Sequence, residues 1–95
     1  MSEITVLHRP ERSRYEVYVD GELAGHTRYE RTPDAVNFVH TEVDPRFEGH
    51  GLGSRLAKGA LDDVRASGGR IVATCPFIAA YVRRHPELAD LLAAP

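Results

Sequence analysis

Tryptophan is absent from this chain, and cysteine and methionine each occur once. A lone cysteine, Cys75, excludes an internal disulfide framework and any zinc site built from two or more thiolates. Aromatic residues make up only 7% of the sequence, too few for the stacking platform that single-strand binders use. No run of Lys and Arg marks a basic arm, and the formal net charge of -2 disfavours nucleic acid as a partner. No apolar stretch approaches membrane-spanning length. The start, Met-Ser-Glu-Ile, has neither the basic nor the apolar region of a signal peptide. The expectation is a soluble, cytoplasmic protein that engages neither nucleic acid nor a membrane.

What is present is ordinary globular composition, with 42% apolar and 27% charged residues. The 95 residues have room for one domain, residues 1–95, with one core and a modest stability margin.

Ile4 to Leu7 reads as a first short strand, closed by Arg9-Pro10. Arg14 to Val19 alternates as a half-buried strand does. Asp20-Gly21 follows at once, the dipeptide that suits a two-residue type I′ hairpin. Leu23 to Glu30 returns as the partner strand, and Thr32-Pro33-Asp34 makes the next turn. Val36 to Val43 is a fourth strand. Strict alternation puts Val36, Phe38, His40 and Glu42 on one face and Asn37, Val39, Thr41 and Val43 on the other.

From Leu52 the period changes to that of a helix, with Leu52, Leu56, Ala57, Ala60, Leu61 and Val64 in one stripe. Ser67-Gly68-Gly69 stops it. Arg70 to Cys75 is a fifth strand, nearly all apolar and therefore expected inside the sheet. Phe77 to Arg84 is a second helix ending before Pro86, and Glu87 to Leu92 adds a last helical turn or two. The fold class is α+β. A mixed five-stranded sheet is expected, with strands 1–4 in an antiparallel meander, strand 5 parallel to strand 4 through a right-handed crossover, and two main helices.

The segment Arg46-Phe47-Glu48-Gly49-His50-Gly51-Leu52-Gly53 opens directly into the first helix. Three alternate glycines remove Cβ atoms where backbone must turn and approach a ligand. The first helical amides have no partners of their own, and the helix dipole favours an anion there. A P-loop needs Gly-Lys-Ser/Thr, which does not occur. The dinucleotide fingerprint fails because Ser54 stands where the third glycine belongs.

This loop resembles the acetyl-coenzyme A signature Gln/Arg-x-x-Gly-x-Gly/Ala of Gcn5-related N-acetyltransferases, here Arg46-x-x-Gly49-x-Gly51. The strand His40-Thr41-Glu42-Val43, the Asp44-Pro45 break, Cys75-Pro76 and the tail Tyr81 to Glu87 are similar to the small, minimal members of that superfamily. The resemblance covers roughly residues 4 to 92. It implies that amides of Phe47, Glu48, Gly49, His50, Gly51, Leu52, Gly53 and Ser54 hold the pyrophosphate of acetyl-coenzyme A. It also implies that strands 4 and 5 splay, with the pantetheine arm paired against Thr41 to Val43. Arg46 and Arg55 could add charge near the phosphates, or be ordinary solvated arginines.

For chemistry the resemblance points to Cys75, at the end of strand 5. It is a nucleophile or leaving-thiol contact, unless it is simply a small buried hydrophobe. Glu42 and His40 share one face of strand 4, from which the superfamily often draws a general base. A carboxylate among apolar neighbours would suit that task, and a rim carboxylate paired with Arg is the alternative. Tyr81 falls one residue from the position of the superfamily's thiolate-protonating tyrosine, so it reads as a core aromatic.

His40-x-Glu42 with Cys75 resembles a zinc deaminase set, but no second cysteine completes it, and no metal is expected. His8, His26, His50 and His85 are scattered and read as surface residues. Short connections replace the elements that build an acceptor pocket in larger members, so the acceptor amine is not specified and could be large and exposed. An N-acetyltransferase is the first reading. A coenzyme A-binding sensor or partner subunit without turnover, and an interaction domain whose loop binds nothing, are the others.

Overall fold

A computed structural model of the chain describes residues 2–93. The first strand, β1 (Ile4–Arg9), runs two residues further than the apolar pattern indicates, because His8 and Arg9 continue to pair with Tyr15 and Arg14. The second, β2 (Arg14–Val19), joins β3 (Glu22–Arg31) through Asp20-Gly21. Both turn residues take left-handed backbone, Asp20 at φ 50° and Gly21 at φ 82°, as a type I′ turn requires. The strand β4 (Val36–Val43) completes the antiparallel meander.

The helix α1 (Leu52–Ala66) buries the whole expected stripe, Leu52, Leu56, Ala57, Ala60, Leu61 and Val64. Gly59 lets the helix sit close on β1, since a Cβ there would meet Val6 at 2.9 Å. Next come β5 (Ile71–Ala73) and α2 (Pro76–Arg84), and then a 3-10 segment, Pro86–Leu91. Ile78 and Val82 of α2 join α1 in one core against Tyr15, Val17, Tyr29 and Phe38. No helix among the described residues is long and apolar enough to cross a membrane.

The strands are ordered β1-β2-β3-β4-β5, with only β4 and β5 parallel. The mixed five-stranded sheet with two main helices is therefore as expected. Two features differ. The fifth strand is an edge strand of three residues, not an interior one. Its outer neighbour is a single parallel bridge between Ile71 and Leu92, and Val72 is 40% exposed. Its apolar sequence comes from Ile71, which faces the core, and not from burial on both sides.

The second difference is a bulge in β4. Tyr29 pairs with Phe38 and Arg28 with His40, so Val39 has no partner on β3. One extra residue reverses the alternation of everything beyond it. Val36 and Phe38 are buried, but past Val39 it is Thr41 and Val43 that turn inward. Thr41 bonds to the buried Thr27, and Val43 packs on the core. His40 and Glu42 point to the opposite, open face. They share a face with each other, but not with Val36 and Phe38.

Candidate functional site

The bulge coincides with the place where the sheet opens. Strand β5 pairs with β4 only at Val36–Ile71, Asn37–Val72 and Phe38–Ala73, and the last backbone tie is the amide of Cys75 donating to the Phe38 carbonyl at 2.8 Å. Beyond it, His40 to Val43 keep β3 on one side and, among the described residues, have no strand on the other. The free edge of β4 contains Thr41 and Val43, the two residues expected to meet an extended arm.

The open edge runs into the glycine loop. The Asp44 side chain caps the 3-10 turn Pro45–Phe47 by accepting from the Arg46 amide. Gly49 and Gly51 then take φ 87° and 68°, backbone that side-chain-bearing residues rarely adopt. The first helical bond of α1 is the Arg55 amide to the Gly51 carbonyl. Among the described residues, the amides of Gly49, His50, Gly51, Leu52, Gly53 and Ser54 donate to no protein acceptor. Six consecutive unpaired amides at the positive end of a 15-residue helix have the donors and the field to cradle an anion.

A groove of about 250 Å³ lies against this loop, lined by Val43, Phe47, Glu48, Gly49, Gly51, Leu52, Gly53, Ser54 and Phe77. Gly53 leaves room for its neighbour: a Cβ there would lie 2.6 Å from the tip of the Phe77 ring, which would have to shift. A larger cavity of about 470 Å³ lies further along α1, between Lys58, Asp62, Arg65, Tyr81 and His85. Its Lys58 and Arg65 are already paired with Asp62 and Asp90, so the unpaired donors belong to the smaller groove.

Arg46 does not reach into the cradle. Its guanidinium bonds Asp44, at 3.2 Å to Oδ2, and lies 3.5 Å from Glu22. Hydrogen bonds from Arg46 also hold the Asp44 carboxyl below its ordinary range. Arg55 is exposed on the first turn of α1 and makes no ion pair among the described residues.

Cys75 is 3% exposed and stands immediately before α2, at the point where β5 has left the sheet. Its Sγ donates to Thr41 Oγ1 across the gap at 3.3 Å. Thr41 Oγ1 lies 2.9 Å from Thr27 Oγ1. The thiol therefore touches the free edge of β4 at Thr41, and two residues further along that edge Val43 lines the groove of the loop.

His40 and Glu42 lie on the other face. His40 Nε2 is 3.4 Å from Glu42 Oε1, with the side chains 53% and 66% exposed. The apolar surroundings expected for Glu42 are not there. The cross-strand partner of Glu42 is His26, whose ring is tilted against that of His40 at 6.1 Å. Burial, with Arg14 nearby, lowers the His26 pKa below the usual imidazole value.

Three of the scattered histidines are more than surface residues. His8 is part-buried, bonds the Tyr29 hydroxyl at 2.6 Å and stacks on Tyr15; His26 and His85 are also part-buried. Tyr81 is a core aromatic, 5% exposed and stacked on His85, and it lines the larger cavity. Among the described residues no group of three or more His, Cys, Asp or Glu side chains could hold a metal ion.

Sequence reasoning missed Thr27, His26 and Phe77. Thr27 and His26 sit opposite Thr41 and Glu42, a pairing that only strand register discloses. Phe77 carried one unused signal, an aromatic directly after Cys75-Pro76.

Residues 14–91 match the sequence pattern of the GCN5-related N-acetyl-transferase family. The protein NATD1 of Xenopus tropicalis is 34% identical over 90 residues, covering 90% of this chain and 80% of that protein. NATD1 of Homo sapiens is 39% identical over 51 residues, 54% of this chain and 45% of that one. In three dimensions, a GCN5-like protein of Staphylococcus aureus solved by NMR superposes with a TM-score of 0.70 at 20% identity, covering 100% of this chain and 93% of the other. A GNAT-family protein of Desulfovibrio desulfuricans gives 0.56 at 26% identity over 78% and 52%.

Proposed function

This chain belongs to the GCN5-related N-acetyltransferase family, and from that premise we propose that it binds acetyl-coenzyme A along the β4–β5 gap and passes the acetyl group to an amine. The observation that carries the reading is continuity. The free edge of β4 leads from Thr41, which holds the Cys75 thiol, to Val43, which lines the groove beside the six unpaired amides. The pyrophosphate sits on the amides of Gly49 to Ser54, where a helix N-terminus stabilises an anion. The pantetheine arm pairs with backbone at Thr41 and Val43, with Phe47 and Phe77 as apolar walls. Arg55 replaces Arg46 as the cation nearest the phosphates, because Arg46 is held by Asp44 and Glu22.

With the arm so placed, the thioester arrives beside Cys75. The Cys75 sulfur bonds to the acetyl carbon, the bond from that carbon to the coenzyme sulfur breaks, and the thiol proton ends on the coenzyme. The acceptor amine then forms the new C–N bond as the Cys75 S–C bond breaks, and an amine proton returns to the Cys75 sulfur. Glu42 and Cys75 stand on opposite faces of the sheet, so in this reading the acceptor loses its proton on the open face before it enters the gap. Glu42, with His40 beside it, takes the proton that an ammonium acceptor must lose first. Their exposure suits an amine on a large substrate.

Melting with and without acetyl-coenzyme A tests the binding step. At about a hundredfold excess over Kd the ligand should add about 2.7 kcal/mol, a rise of roughly 10–20 °C for a domain of this size. An unchanged melting temperature at millimolar coenzyme sinks the proposal. The intact mass should then show one acetyl group in the wild type and none in Cys75→Ala, and an amine should discharge it. Stabilisation without acetyl transfer to any of an amine and peptide panel favours a coenzyme-binding sensor instead.

A further inference from the structure

Two threonines on facing strands connect the thiol to the interior. Thr27 of β3 is fully buried and is the cross-strand partner of Thr41 on β4. Its hydroxyl donates to the His40 carbonyl at 3.3 Å. A hydroxyl has one proton to give, so the 2.9 Å contact between the two threonines has Thr41 donating to Thr27. The Thr41 oxygen in turn accepts the Cys75 thiol proton at 3.3 Å. The direction of every bond is set: thiol to Thr41, Thr41 to Thr27, Thr27 to a backbone carbonyl. The chain ends on an acceptor that takes no proton, so it orients groups and carries no proton away.

We propose that Thr41 is a positioning residue for Cys75: its hydroxyl turns from Thr27 to the sulfur when the thiol gives up its proton, and Thr27 is the competing acceptor that holds it back. This rests on Cys75 being the group that meets the thioester. When the thiol is intact, the Thr41 proton is committed to Thr27. When a thiolate forms, rotation about the Thr41 Cβ–Oγ1 bond supplies it with a donor while Thr27 keeps its bond to His40. All three side chains are wholly or partly buried, so water does not readily substitute for a lost partner. The two threonines therefore act on the sulfur with opposite sign. Removing the Thr41 hydroxyl takes a donor from the thiolate. Removing the Thr27 hydroxyl takes an acceptor from the resting state and leaves the Thr41 proton for the sulfur. A pair of threonines kept only for packing would not give opposite effects.

The test needs no coenzyme, so its failure is separable from failure of the acetyltransferase reading. Cys75 is the only cysteine, and its S–H stretch in the infrared is therefore a single band. Thr41→Val should move that band to the frequency of a free thiol and slow alkylation of Cys75 by a small uncharged reagent roughly ten- to a hundredfold, the worth of one bond to a charged group. Thr41→Ser should restore both. Thr27→Val should speed alkylation several-fold, with the thiol band still that of a bonded donor. Thr27→Ser should match the wild type, and melting curves identify any variant that has failed to fold. The inference is overturned if both valine variants change the rate in the same direction, or if Thr41→Val leaves band and rate unmoved. Acetylation of Cys75 by acetyl-coenzyme A, followed by mass in the same variants, should track the alkylation rates. Alkylation that follows the predicted signs without any acetylation would uphold the threonine switch and refute only the enzymatic role of the thiol.

Discussion

Replacing Glu16 with glutamine keeps the shape of the side chain and removes its charge, in the most crowded ionic cluster of the fold. Glu16 points to the sheet face opposite the helices, and its side chain is fully buried there. It accepts from Arg14 Nε at 2.6 Å, Tyr18 Oη at 2.6 Å, Arg9 Nε at 3.1 Å and Arg12 Nη1 at 3.4 Å. Burial alone would raise its pKa. The hydrogen bonds from Tyr18, Arg14 and Arg9 outweigh burial and hold the carboxyl at about 2, against an ordinary 4.5. A depression of that size corresponds to about 3 kcal/mol of preference for the charged form in the folded state. Arg9 and Arg12 are 38% and 60% exposed, so solvent screens part of it and about 2 kcal/mol is a fair figure. Glu16→Gln should therefore melt roughly 8–16 °C below the wild type at pH 7. Because the folded pKa is depressed, the stabilisation is fully present above about pH 4.5 and is lost as pH falls toward 2. Melts of both proteins by circular dichroism from pH 7 to pH 2 should thus converge at the acid end. A gap under about 0.5 kcal/mol at pH 7, or one that stays constant from pH 5 to pH 2, would refute the reasoning.

Gly51→Ala forces a side chain into φ 68° and should cost about 1–2 kcal/mol. Re-aimed amides should also shrink the rise in melting temperature that acetyl-coenzyme A gives. Gly53→Ala places a Cβ 2.6 Å from the Phe77 ring; its penalty should vanish in a Phe77→Ala background, and additive losses in that double-mutant cycle would disprove the contact. Glu42→Gln should slow acetyl transfer to an amine while leaving the melting temperature almost unchanged, because the side chain is 66% exposed. Leu56→Ala removes a fully buried anchor of α1, and its urea midpoint should report a loss of about 2–5 kcal/mol.

Much of this architecture is local, and local patterns are legible in one sequence. Arg14–Val19 and Val36–Val43 fall where alternation puts them, Asp20-Gly21 turns the hairpin, and the stripe from Leu52 to Val64 goes into the core. Each depends on periodicity or on the backbone preference of one or two residues, which neighbours in sequence determine. The row of unpaired amides is legible for the same reason, since glycines before an amphipathic helix leave amides unpaired wherever that helix docks.

The chemistry of the site was decided elsewhere. Strict alternation along β4 gives the wrong faces for His40 and Glu42, because the extra residue at Val39 exists only as a mismatch with β3. An apolar Ile71–Ala73 reads as interior, yet edge position depends on what the rest of the chain pairs with. Arg46 fits the loop motif by sequence but gives its charge to Asp44 and Glu22, a residue on another strand. Cys75, Thr41 and Thr27 are bonded in a row although two long sequence gaps separate them. The sequence determined the elements and the row of unpaired amides through short-range preference. Register between distant strands determined which side chains meet in the gap, because a one-residue slip reverses every face beyond it.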